Sequence, residues 1–103
     1  LSGHTHEVLT SVAVGYWDAH DQWLSLQRVS RSQVRFSSLS ARQIDRYVAT
    51  EEPFGKAGGY GIQGVAALFI DCINGSYSGI MGLPAYETSQ LLEAVGVELV
   101  VSP

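Results

Sequence analysis

The 103 residues, 46% of them hydrophobic and 16% charged, have the makeup of one folded domain and exclude a disordered tail. A formal net charge of -4 excludes the basic excess by which nucleic-acid-binding surfaces announce themselves, and the single cysteine, Cys72, excludes an intrachain disulfide. No apolar run approaches the roughly 20 residues of a membrane-spanning helix, so a cytoplasmic protein without nucleic-acid or membrane partners is expected.

The chain opens on Leu1-Ser2-Gly3, which reads as the end of a helix with Gly3 in the left-handed position, so an N-terminal part is expected to be missing. Glu7 to Tyr16 then places Val8, Thr10, Val12, Val14 and Tyr16 on one face of a β-branched strand. The polar residues WDAHDQ close a loop, and a second extended run, Trp23 to Phe36, carries Leu24, Leu26, Val34 and Phe36 on one parity. These two runs are expected to pair as a long hairpin. Arg28, Ser30 and Ser32 interrupt the apolar parity, which predicts that the middle of the second strand passes the core edge or approaches a polar site.

Ser40-Ala41-Arg42-Gln43 is a capping box, and Leu39 is placed to staple onto Ile44. A helix over residues 40 to 51 follows, with Ile44, Tyr47 and Val48 as its buried stripe and Pro53 as its terminator. The next stretch, GKAGGYGIQG, holds five glycines in ten residues and predicts a loop whose backbone side chains would forbid. Val65 to Ile73 and Ser76 to Met81 read as a second hairpin around the Asn74-Gly75 turn, with Cys72 as a small core residue. A last helix is expected over residues 84 to 95, with Pro84 in its first turn, Leu91, Leu92 and Val95 buried and Gly96 at its cap. Val97 to Val101 suits a short final strand. Together the elements make an α/β or α+β arrangement with mixed and antiparallel pairing, read as one incomplete domain over residues 1 to 103.

Two motifs point the wrong way. Gly59-Tyr60-Gly61-Ile62-Gln63-Gly64 matches the G-x-G-x-x-G of dinucleotide-binding loops, yet a helix and Pro53 precede it and β-branched residues follow, so no helix N-terminus is expected to face a pyrophosphate there. His6-Glu7-Val8-Leu9-Thr10 begins like a zinc-binding helix but has Thr10 where the second ligand belongs. Five of the six basic residues lie between Arg28 and Arg46, a cluster that suits either local steering of a polyphosphate or a solvated face.

One resemblance is more specific. Tyr47-Val48-Ala49-Thr50, Glu52-Pro53 and Lys56-Ala57-Gly58-Gly59-Tyr60-Gly61-Ile62-Gln63-Gly64 resemble the C-terminal signature of Maf proteins, which are nucleoside triphosphate pyrophosphatases. The likeness extends from Leu1-Ser2-Gly3-His4-Thr5-His6-Glu7-Val8 through Val34-Arg35-Phe36 to Asn74-Gly75-Ser76-Tyr77-Ser78 and Gly82-Leu83-Pro84, nearly the whole chain in the family's order.

The resemblance implies the C-terminal half of a Maf/ITPase-like α/β fold, with long antiparallel hairpins in a mixed sheet, flanking helices and a central cleft. It implies hydrolysis between the α- and β-phosphates of dTTP or UTP, with a divalent cation, Mg²⁺ or Mn²⁺, as cofactor. The family's Ser- and Arg-rich loop and its Gly-Ala-Asp-Thr segment, source of the general base, have no counterpart here, so no catalytic residue is assigned to this chain and its metal ligands are unknown. Its expected partners are the nucleotide and the missing N-terminal half, and a homodimer is left open.

By the same resemblance Gln63 marks the subfamily acting on dTTP and UTP, and a carboxamide matches the O4 acceptor and N3–H donor of uracil. A flipped amide would suit cytosine, and the side chain could also serve the loop backbone. Lys56 is open to balancing phosphate charge or to pairing with Glu51 or Glu52. Tyr60 is open to stacking on a base or plugging the core, and Gly61, with its neighbouring glycines, to bringing backbone N–H groups to the ligand. The rival to a pyrophosphatase part is a non-enzymatic nucleotide-binding or interaction module linked to septum formation in cell division.

Overall fold

Alternation of β-branched and polar residues builds the first element, and the computed structural model, which describes residues 1–99, extends it on both sides. Strand β1 spans Thr5–Trp17 and pairs antiparallel with strand β2, Trp23–Phe36, in continuous register from Thr5↔Arg35 to Trp17↔Trp23. The Asp18 carboxylate closes the turn by accepting from the backbone N–H groups of His20 and Gln22, while the Trp17 and Trp23 rings meet edge to face at 5.3 Å. The even-numbered residues of β1, His6 among them, form its half-buried face, as the parity predicted.

Ser30 and Ser32, however, do not leave the core: both are buried, in line with Val34 and Phe36. They are small because a helix backbone lies on them.

The Ser40 box forms in full, with Ser40 Oγ accepting from the Gln43 N–H and the Gln43 side chain accepting from the Ser40 N–H. It opens helix α1, Ala41–Ala49, which ends before Pro53: Thr50 is the C-cap, and Glu51 takes a left-handed φ of 62°. The expected buried stripe is corrected here, since only Tyr47 is half-buried while Ile44 and Val48 remain 43% and 45% exposed. Ile44 and Val48 thus keep a large part of their apolar surface open to solvent.

The second hairpin is not formed. Val65–Leu68 is a short 3₁₀ turn, strand β3 begins only at Ile70 and runs to Asn74, and Tyr77–Met81 is helix α2 rather than a returning strand. Strand β3 pairs antiparallel with β2, giving a sheet of order β1-β2-β3 whose pairings among the described residues are all antiparallel, not mixed. The register puts Ile70 and Ile73 opposite Phe36 and Val34, and Cys72 opposite Arg35 on the other face, so Cys72 is exposed rather than a core residue. Beside it Arg35 Nε donates to Asp71 at 2.6 Å.

Gly75, at φ 134°, turns the chain into α2, where the Ser76 hydroxyl caps the N–H of Gly79. Ser32 Oγ accepts from the Ser76 N–H at 2.8 Å, and Thr10 Oγ1 donates to the Gly79 carbonyl at 2.7 Å, which fastens α2 to the sheet. A Cβ on Gly79 would run into Ser30, and one on Gly75 into Ser32, so both serines and both glycines are set by this close approach.

Helix α3, Ala85–Ala94, follows with Pro84 as its N-cap and packs on β1 and β2 through fully buried Leu91, with Leu92 and Val95 half-buried beside it. Its end is a Schellman motif: Gly96 N–H donates to Glu93 and Val97 N–H to Leu92. Residues 97–99 are irregular, and the rest of the expected final strand lies outside the described residues. The core proper is Val34, Phe36, Tyr60, Ile62 and Ala66, flanked by Val8, Leu39, Tyr47, Ile70 and Ile80.

Candidate functional site

A cleft of about 780 Å³ lies between the first half of β1, the glycine-rich loop and the end of α2. Gln63, Lys56, Tyr60 and Gly61 all line it, so the four residues singled out in the sequence come together in space. No α-helix starts at Gly61, which removes the dinucleotide-loop reading; the next turn is the 3₁₀ segment from Val65.

Gln63 is exposed to the cleft, and its Nε2 donates to the Met81 sulfur at 3.1 Å. Among the described residues Oε1 and the second Nε2 hydrogen make no further hydrogen bond to the chain. Lys56 is exposed, and its aliphatic stem lies over Gly61, where a Cβ would come within 2.8 Å of Lys56 Cε. Among the described residues its ammonium makes no ion pair within 4.0 Å, with Glu51, Glu52 or any other carboxylate.

Two expectations for the loop change. Tyr60 is buried, its ring edge-on to Phe36 at 5.0 Å and to His6 at 5.5 Å, and its hydroxyl shares a 2.8 Å hydrogen bond with His6 Nε2. It is therefore the core plug, not a surface for a base. The Gly61 N–H, considered as a donor to ligand, is already given to the Tyr47 hydroxyl at 3.3 Å.

Glu52, Tyr47, His6 and Met81 were not found from the sequence as site residues. Glu52 stands just before Pro53 and reads as the tail of a helix, yet its Oε1 accepts from Val65 N–H at 2.8 Å and its Oε2 from Ala66 N–H at 3.3 Å. The neighbouring Tyr47 hydroxyl, with the Val65 and Ala66 N–H groups, holds Glu52 below the usual carboxylate range, while burial first and the nearby carboxylate second push Tyr47 up to about 12. His6 is lowered by burial, and its Nδ1 has no hydrogen-bond partner. The parity of β1 placed His6 on the inner face, but only the fold brings Tyr60 to it.

The arginine cluster does not surround the cleft. Arg31 lies 3.8 Å from Glu7, Arg35 bonds Asp71, and Lys56 and His6 are the basic side chains of the cleft wall. Among the described residues no group of three His, Cys, Asp or Glu side chains stands close enough to hold a metal ion. The carboxylate nearest the loop, Glu52, is engaged by backbone N–H groups, so the residues present do not fit a cation site. No helix among the described residues is long and apolar enough to cross a membrane.

A family described as Maf-like protein matches residues 1–95. The chain is similar to proteins named dTTP/UTP pyrophosphatase: one from Aromatoleum aromaticum is 57% identical over 99 residues, which is 96% of this chain and 46% of the relative. Those of Albidiferax ferrireducens and Chromobacterium violaceum are 52% and 50% identical, with 96% of this chain covered and 47% and 48% of the relatives. The chain thus spans about half the length of the curated relatives it matches.

Proposed function

The chain belongs to the Maf-like protein family, and from that membership we propose that it is the base-recognising part of a cytoplasmic enzyme that hydrolyses dTTP and UTP to the monophosphate and pyrophosphate. In that reaction a water oxygen bonds to the α-phosphorus, the bond from the α-phosphorus to the bridging oxygen breaks, and pyrophosphate leaves with the bonding pair. The water's proton passes to a carboxylate in the portion by which the relatives exceed this chain. The names of the relatives support the substrate class.

The observation that carries the reading is the Gln63 carboxamide on the cleft wall, with Nε2 tied to Met81. An amide so oriented has its second Nε2 hydrogen for O4 of uracil or thymine and its Oε1 for N3–H. Lys56, unpaired among the described residues and next to the same loop, supplies positive charge toward the phosphates. The divalent cation that the family uses would supply charge compensation on the polyphosphate; among the described residues no group of three His, Cys, Asp or Glu side chains could hold it without ligands from elsewhere.

The test is Gln63→Ala in the enzyme made of this chain and that remaining portion. Losing the pair of hydrogen bonds lowers kcat/KM for dTTP and UTP by roughly 5- to 150-fold, the range of about 1 to 3 kcal/mol for buried groups left unpaired. Discrimination against other bases falls with it. Unchanged kcat/KM and unchanged base preference would remove Gln63 from recognition.

A further inference from the structure

We infer that Glu52 and Tyr47 are the positioning pair that holds Gln63 in its base-reading pose, by gripping the backbone on both sides of it. The inference rests on the base-recognition reading above and asks how a glycine-rich loop keeps one amide in place.

The grip is continuous. Ahead of Gln63, the Gly61 N–H donates to the Tyr47 hydroxyl, and behind it the N–H groups of Val65 and Ala66 donate to the two oxygens of Glu52. The Tyr47 hydroxyl and the Glu52 carboxylate are near enough to shift each other's protonation, Tyr47 upward and Glu52 downward, so the two halves of the clamp stand beside each other. Inside it the Gly64 N–H closes onto the Gly61 carbonyl at 3.1 Å, forming the turn on which Gln63 stands. The buried side chains of Ile62 and Ala66 fix the turn from below.

Gly64 gives the carboxylate its room, because a Cβ there would overlap Glu52. With one backbone N–H group on each of its two oxygens, Glu52 is spent on the loop and is not placed to take a proton from water. A carboxylate suits the task where an amide does not, since it accepts on both oxygens, whereas Gln would turn an NH₂ toward one of the N–H donors.

The experiment uses the full-length enzyme carrying Glu52→Gln, Tyr47→Phe, Gln63→Ala and the double variant Glu52→Gln/Gln63→Ala. The ratio of kcat/KM for UTP to that for CTP is measured, along with amide exchange at Gly61, Val65 and Ala66. Glu52→Gln is expected to raise exchange at Val65 and Ala66 and to lower the ratio about tenfold, within the loss a displaced hydrogen-bonding group brings. Tyr47→Phe, which removes one hydroxyl and keeps the ring, lowers the ratio less and stands in should Glu52→Gln not fold. In the double variant no further loss of kcat/KM for either nucleotide beyond Gln63→Ala is expected, because Glu52 acts through Gln63.

An unchanged ratio in both Glu52→Gln and Tyr47→Phe, with the Gln63→Ala ratio reduced, overturns the clamp and leaves the recognition reading standing. An equal added loss for UTP and CTP in the double variant also overturns it, since that is the mark of a group acting on the phosphates. If Gln63→Ala itself leaves the ratio unchanged, the recognition reading fails first and the clamp's purpose goes with it.

Discussion

Gln63 Nε2 and the Met81 sulfur stand 3.1 Å apart at the cleft wall, the one side-chain contact found for this amide among the described residues. The sequence leaves the amide's orientation open, since a carboxamide would read uracil one way and cytosine the other, and its contact lies 18 positions along the chain on a helix where the local pattern predicts a strand. A thioether is a weak acceptor, so its effect on selectivity is modest. Met81→Leu keeps most of the volume and removes the acceptor; it is expected to lower the UTP-to-CTP ratio of kcat/KM in the full-length enzyme by about three- to tenfold. Steady-state kinetics on the two nucleotides checks this, and an unchanged ratio would mean that something other than Met81 orients the amide. Tyr60 teaches the converse. Among glycines an aromatic is equally suited to ligand or core, and what decides is His6, whose Nε2 meets the Tyr60 hydroxyl across 54 positions of sequence.

The long hairpin was legible because its information is local: a period of two, β-branched residues and a polar turn specify β1 and β2 with little outside help. The capping box of α1 was legible for the same reason. Within residues 65 to 81 the strand over Ile70–Asn74 was legible, but the segments on either side of it were not, because two distant partners override their strand-like composition. Glu52 captures the N–H groups of Val65 and Ala66 into a 3₁₀ turn, and Ser32 with Thr10 binds the backbone of α2 at Ser76 and Gly79. The one local sign was Ser76, a cap residue three before Gly79, masked by the stronger hairpin signal of Asn74-Gly75. Ser30 and Ser32 likewise suited an exit past the core edge or an approach to a polar site, and in the structure they are buried and mark a close helix approach. Gly79→Ala tests that approach: the new methyl meets Ser30, and overpacking of this kind costs about 1 to 3 kcal/mol. A urea titration of the variant should show an earlier midpoint at unchanged slope, and restoration by Ser30→Gly in the same chain would identify the collision as the cause.

At the scale of the whole molecule, the described residues extend 59 × 26 × 22 Å around a core of few side chains, with the hairpin end carrying exposed Trp17 and Trp23. Ile44, Val48, Phe54 and Leu68 are also exposed, on α1 and the segments that follow it toward β3. Composition forecast a domain able to bury a core, and periodicity named faces to bury, but neither tells which faces this chain covers by itself. The α/β class was legible; the extent of the sheet and the uncovered side of α1 were not, since they depend on what else packs there. The division of labour proposed above, base recognition in this chain and proton transfer with metal chemistry in the remainder, is supported by a cleft lined by Gln63 and Lys56, with no cluster of three metal-ligating side chains among the described residues. The direct measurement is pyrophosphate release from dTTP and UTP with Mg²⁺ or Mn²⁺, by this chain alone and by the same chain joined to the portion that the Aromatoleum aromaticum relative carries beyond the match. The account predicts metal-dependent release by the joined protein, with dTTP and UTP preferred over CTP, and background release by the chain alone. Metal-dependent turnover by the chain alone, or release by the joined protein without that preference, would contradict it.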